Sequence, residues 1–203
     1  MLLDPIHLLA LVADHVHLVV LAMMLAALVE SALGLGAFVP GETVVVLGSA
    51  TIAAGAGEWV LPAALLVALA ACAGDHIGWW IGRRGGPAVG RSPAVRRIGT
   101  DRWERALRAT SRQRLITLVA LRQLPGVRTL ISAACGAARI PYPRFLLASA
   151  IGALVWACAW VIGGAVIGGQ ILELLGPWLL LLLPLWIVIL LVVGRIKRRS
   201  AAQ

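Results

Sequence analysis

Apolar positions run along this chain in blocks too long and too unbroken to be the inner faces of soluble helices. Val16 to about Leu35, Val60 to Gly82, Phe145 to about Gly169 and Trp178 to Gly194 each read as an apolar helix. At about 1.5 Å of rise per residue, such blocks approach or reach the ~20 residues needed to cross a bilayer. Two other blocks differ. Thr43–Ala54 is short, follows Pro40-Gly41 and ends in Ala-Gly-Ala-Gly, while 115–138 is broken by Arg122, Pro125, Gly126 and Arg128. Short apolar stretches split by Pro and Gly predict re-entrant hairpins, here 38–57 and 115–138. Before the first block, Asp4-Pro5 is a helix-start signal, and residues 1–15 are expected to lie at the interface.

Composition agrees with the pattern. Of the 203 residues, 61% are hydrophobic and 13% charged, against roughly 25% charged in soluble domains. The mean hydropathy is +0.94. The net charge of +9 is unevenly placed: residues 1–82 hold no Lys or Arg, whereas 83–114 hold ten arginines and the tail adds Arg195, Lys197, Arg198 and Arg199. Arginines lying between apolar spans are explained by the positive-inside rule rather than by nucleic acid, and both clusters are expected in the cytoplasm. Within the first, 101–110 puts Trp103, Ala106, Leu107 and Thr110 on one face of a basic helix. That face predicts contact with the cytoplasmic leaflet, the alternative being a solvated loop that only sets orientation. Trp79-Trp80 reads as an aromatic belt. The N-terminus has no basic region and its first apolar stretch is interrupted by Asp14, His15 and His17, which argues against a cleaved signal peptide.

With the basic segments inside, the chain counts out as an all-α polytopic membrane protein. It has about four full spans, two hairpins entering from opposite faces, and both termini cytoplasmic. Residues 1–203 form a single membrane domain: an interfacial segment 1–15, a first half 16–82, a basic loop 83–113, a second half 114–169, and a last span with its tail 177–203. The halves resemble each other. Val39-Pro-Gly-Glu-Thr matches Leu124-Pro-Gly-Val-Arg-Thr, and each is followed by a span with a small residue three before a glycine, Ala71 to Gly74 and Ser149 to Gly152. Opposed orientation makes this an inverted repeat, a design of secondary transporters.

Five ionisable residues fall at bilayer depth: Glu30, Glu42, Asp75, Arg122 and Arg128. Each costs about 2.5–3.5 kcal/mol near a helix centre unless it is paired or wet. They read either as ion pairs that lock the hairpins, or as a site in which arginines hold an anion and carboxylates exchange protons or balance charge. Guanidinium forks suit phosphate oxygens. His76 beside Asp75 is a candidate relay member or a packed histidine. His7, His15 and His17 look interfacial, and no metal or cofactor is expected. Cys72, Cys135 and Cys158 lack paired spacing. Metalloprotease, hydrolase, phosphate-loop and redox motifs are missing, so no enzyme is predicted; Ser49 and Ser132 have no His or carboxylate close in sequence.

Taken in order, Glu30, Phe38-Val-Pro-Gly-Glu42, Gly74-Asp75, Ile81-Gly-Arg-Arg-Gly85, Arg122-Gln-Leu-Pro-Gly-Val-Arg128-Thr and Ala134-Cys-Gly136 resemble the DedA family, whose eukaryotic relatives share the VTT or SNARE-associated domain. The resemblance covers roughly residues 25–170. It implies a lipid transporter of the bacterial cytoplasmic membrane, similar to flippases of undecaprenyl phosphate or of phospholipids, several of them dependent on the proton motive force. By position, Glu30 and Glu42 match the family's two essential acidic sites and Arg122 and Arg128 its essential arginine pair. Many members carry Asp where this chain has Glu42. The expected partners are membrane lipids with an anionic phosphate headgroup, and protons; a homo-oligomer is compatible. The rivals are a cation/proton antiporter and a membrane assembly protein that transports nothing.

Overall fold

The computed structural model describes residues 14–33, 41–91, 95–96, 99–111, 115–123 and 128–167. Residues 1–13 of the interfacial segment 1–15, the expected turns at Pro40, Pro125 and Gly126, and the last span and tail lie outside the described residues. Those that are described fold as helices, with no strand among them. They are α1 (Val16–Leu33), α2 (Gly41–Gly55), α3 (Val60–Gly85), α4 (Thr100–Ser111), α5 (Leu115–Arg122), α6 (Arg128–Ala137) and α7 (Tyr142–Ile167). Among the described residues, the interval 115–138 therefore holds two short helices and 38–57 holds one.

Local chemistry sets several ends. Pro62 falls in the first turn of α3, where an N–H has no intrahelical acceptor to lose. The helix closes at Gly86, with φ of 50°, behind Arg83 and Arg84, whose charges suit the negative end of the dipole. Helix α6 stops at Arg139, with φ of 57°. The Ile140 N–H there reaches back to the Cys135 carbonyl at 3.0 Å, a Schellman closure that turns the chain into α7. Gly57–Gly85 and Tyr142–Ile167 are long and apolar enough to cross a membrane. At 18 residues, α1 rises about 27 Å and stands at the lower limit.

The inner faces are small and the outer faces large, the reverse of a helix in water. Helix α3 buries Ala63, Ala64, Ala68, Ala71, Gly74, Gly78 and Gly82, and turns Leu61, Leu65 and Leu69 outward at 58–67% exposure. Lipid solvates such leucines as well as a core does, so close backbone packing becomes the stabilising contact. A Cβ on Gly82 would fall on the Ala133 carbonyl of α6, and one on Gly136 would fall on the Trp79 carbonyl of α3. On the far side, Gly164 of α7 abuts Ser49 and Val46 of α2. Each half's second short helix thus packs on the long helix of the other half. The helix before each Pro-Gly break packs on its own long helix, α1 at Gly74 and α5 at Gly152.

Helices α3 and α7 run antiparallel: Trp79 and His76 meet Phe145, while Asp75 and Cys72 meet Ser149. Two apolar clusters lie on either side of this crossing. One joins α1, α2, the first half of α3 and the second half of α7; the other joins α4, α5, α6 and the start of α7.

The apolar face of α4 corrects the leaflet expectation. Trp103, Ala106 and Thr110 are buried, with Trp103 and Ala106 packed among Leu118, Leu130, Ile131 and Ala134. A face already covered by protein is not available to lipid. The arginine face points outward, with Arg108 paired to Glu104 at 3.1 Å, an exposed pair worth little. Trp103→Ala is expected to cost about 3–5 kcal/mol and to make tryptic cleavage within α4 faster. Arg108→Ala should change stability by less than about 0.5 kcal/mol.

Candidate functional site

Where α3 and α7 cross, Asp75 is buried to 2% exposure and Arg122, at the end of α5, to 4%. Arg122 Nε donates to Asp75 Oδ2 at 2.5 Å, and Ser149 Oγ of α7 donates to the same oxygen at 2.7 Å. Ser132 Oγ of α6 donates to Oδ1 at 3.1 Å. Arg122 Nη1 is buried with no hydrogen-bond partner among the described residues. The pairing satisfies both charges where an unpaired one would be prohibitive.

Small residues admit this arrangement. A Cβ on Gly152 would meet Arg122 Cδ at 2.6 Å, so the glycine opens the slot for the arginine stem. One on Gly78 would lie 3.1 Å from Ser132 Cβ. Gln123 Nε2 donates to the Gly152 carbonyl at 3.1 Å and holds the end of α5 on α7. Asp75, Leu118, Arg122, Ile131, Ser132, Cys135, Phe145, Ala148 and Ser149 surround a cavity of about 10 Å³, on the order of one water.

A second polar point lies at the start of α2. Glu30, 7% exposed, sits so close to Gly41 that a Cβ there would overlap its Oε2. The positive end of the α2 dipole favours a carboxylate at that position. Glu42 stands half-buried in the same first turn. Of the residues singled out in the sequence, the fold thus joins Asp75 to Arg122, and Glu30 to Gly41 and the turn that carries Glu42. Arg128 opens α6, and its side chain lies outside the described residues.

His76 is a packed histidine: its Nδ1 lies 2.7 Å from the Cys72 carbonyl of its own helix, and its ring meets Tyr142 and Phe145 edge-on. Trp80 is exposed, with the Arg84 guanidinium 3.5 Å above its ring, an arrangement suited to a membrane interface. Ser132 and Ser149 were not legible as partners of Asp75. Ser132 had no carboxylate near it in sequence, and Ser149 counted only as the small residue before Gly152. The four-residue spacing of Gly74, Gly78 and Gly82 is the signal that marks α3 as the helix its neighbours approach most closely.

Long apolar helices, leucines facing outward and a buried, internally paired charge cluster define a helical membrane protein. Residues 39–166 match the VTT domain. The chain belongs to this VTT-domain, or DedA, family of membrane proteins. It is 33% identical over 125 residues to the uncharacterized membrane protein slr0232 of Synechocystis, covering 61% of this chain and 56% of that one. It is 30% identical over 152 residues to the inner membrane protein YghB of Escherichia coli, covering 72% and 67%. It is 29% identical over 134 residues to the uncharacterized membrane protein ML0287 of Mycobacterium leprae, covering 66% and 57%. The match with slr0232 or ML0287 thus spans little more than half of the relative's length. No solved structure matches the chain significantly.

Proposed function

We infer that the protein transports a phosphate-bearing lipid, undecaprenyl phosphate or a phospholipid, between the leaflets of the cytoplasmic membrane, and catalyses no chemical conversion. The observation that carries this reading is Arg122: a guanidinium buried where the two halves cross, with one nitrogen unpartnered among the described residues. Arg128, six positions on, completes the phosphate clamp. Glu30 and Glu42, gathered at the start of α2, exchange protons as the headgroup crosses. The lipid tails stay in the bilayer.

The antiparallel α3 and α7, with each half's short helix packed on the other half, support the inverted repeat; on this reading it comprises four spans and two re-entrant hairpins, with the basic segments and both termini cytoplasmic. A cavity of about 10 Å³ is too small for a phosphate. Headgroup entry therefore requires α5 and α6 to separate from the α3–α7 crossing, first toward one face and then toward the other.

The reading is tested in proteoliposomes carrying a labelled lipid monophosphate. Arg122→Gln is expected to slow transfer by about thirtyfold or more, the loss of a charged contact to phosphate worth at least about 2 kcal/mol. Wild-type rates from a folded Arg122→Gln protein rule out the clamp. The buried Asp75–Arg122 pair also fits an assembly protein in which the charges only join helices. On that reading the swapped pair, Asp75→Arg with Arg122→Asp, keeps full function, whereas a phosphate clamp does not survive it. Proton flux driven by a cation gradient, with no lipid moved, marks an antiporter.

A further inference from the structure

Among the described residues, every hydrogen bond to the Asp75 carboxylate comes from the second half of the chain. Arg122 Nε and Ser149 Oγ share Oδ2, and Ser132 Oγ takes Oδ1. One carboxylate therefore collects a guanidinium and two hydroxyls from α5, α6 and α7. That is the donor set a phosphate monoester accepts, with three terminal oxygens to share among the guanidinium and the two hydroxyls. The Asp75 carboxylate leaves part of that set unused: Arg122 Nη1 is buried and without a partner among the described residues. Each of the three donors is at least nine-tenths buried. Without an anion among them, all three would lose their acceptor in a dry site, at high cost.

We propose that Arg122, Ser132 and Ser149 are the phosphate-binding groups of the transport site, and that the Asp75 carboxylate occupies that site as an internal stand-in for the phosphate between transport events. The proposal rests on the reading of Arg122 as a phosphate ligand. It adds two ligands to that reading and gives Asp75 the part of a competitor rather than of a proton carrier. Phosphate and the Asp75 carboxylate exclude each other. Both are anions, both need the same three donors, and the cavity beside them holds about 10 Å³. A lipid phosphate must displace Asp75 from Arg122, which loosens α3 from α5, α6 and α7 at the crossing of the two halves. Binding and opening are thereby the same event. A lipid with no phosphate cannot compete for the donors and leaves the crossing closed.

The test measures binding to the full chain in detergent micelles, with two probes: radiolabelled inorganic phosphate and dihexanoyl phosphatidic acid. Asp75→Asn removes the competing charge and keeps the shape. It is expected to bind phosphate about tenfold more tightly than wild type, as when a competitor fills about nine-tenths of the sites. Adding Ser132→Ala or Ser149→Ala to Asp75→Asn should reverse most of that gain, and Arg122→Gln should abolish binding. Tighter binding of both probes marks the phosphate group itself as the ligand, and of the phosphatidic acid alone the lipid; either supports the proposal. If wild type binds, Arg122→Gln does not, and Asp75→Asn binds no more tightly, the stand-in role is wrong while the clamp survives. If no protein binds either probe, the clamp fails as well. Should Asp75→Asn not fold, wild-type protein labelled with carbon-13 at the aspartate side-chain carboxyls reports the same event. The chain has four aspartates, Asp4, Asp14, Asp75 and Asp101. Phosphate is expected to shift an aspartate carboxylate band in the difference infrared spectrum, and unchanged bands overturn the displacement.

Discussion

Arg122→Ala is expected to destabilise the protein by about 3–5 kcal/mol, and Asp75→Ala by a similar amount, because either change leaves a buried charge without its counter-ion. Ser132 and Ser149 enlarge the second loss: their hydroxyls, 2% exposed, have Asp75 as their carboxylate acceptor, and a buried donor left without one costs about 1–3 kcal/mol. The double variant Asp75→Ala with Arg122→Ala should lose much less stability than the sum of the two, since removing both charges removes the desolvation cost with them. Unfolding in mixed micelles of rising denaturing-detergent fraction, followed by circular dichroism, gives the three differences. Strict additivity would mean that the two charges do not interact in the folded protein.

The second large effect belongs to the backbone contacts between α3 and α6. Gly82→Ala and Gly136→Ala each place a Cβ on a backbone carbonyl of the facing helix, and backbone, unlike the end of a side chain, cannot turn aside. Either change is expected to cost at least about 3 kcal/mol, toward the upper end for overpacking, or to leave no folded protein to purify. Gly163→Ala is the control. Nothing stands within 4 Å of a Cβ at that position of α7, so the variant should be neutral or gain up to about 1 kcal/mol from helix propensity. Thermal unfolding in one detergent compares all three. Comparable losses at Gly163 and Gly82 would remove close packing as the explanation.

These effects differ in how far they could be read from residues in order. The small face of α3 is visible as glycines every fourth position, and its partners are not, because a spacing names a stripe and not what lies on it. The buried charges were visible as five costly residues at bilayer depth. Which opposite charges meet was not, since Asp75 and Arg122 stand 47 residues apart and on separate helices. Trp103 and its neighbours were correctly placed on one face of a helix. The lipid contact expected of them was wrong, because an amphipathic face shows what a helix must cover and not whether lipid or protein covers it.

Residue order alone established a helical membrane protein, the places where its apolar helices break, the two basic segments and the kinship of its motifs. Each of these follows from short-range chemistry: the transfer of side chains into hydrocarbon, the missing N–H of proline, the open φ of glycine, the cost of a charge in lipid. Hydropathy tells how deep a residue sits and nothing about which way around the helix it faces. The meeting of Asp75 with Arg122, Ser132 and Ser149, drawn from 47, 57 and 74 residues away, depended on how the helices rotate and how closely they approach. Glycines that fill no space set that approach, and it became visible only when the helices were seen packed together.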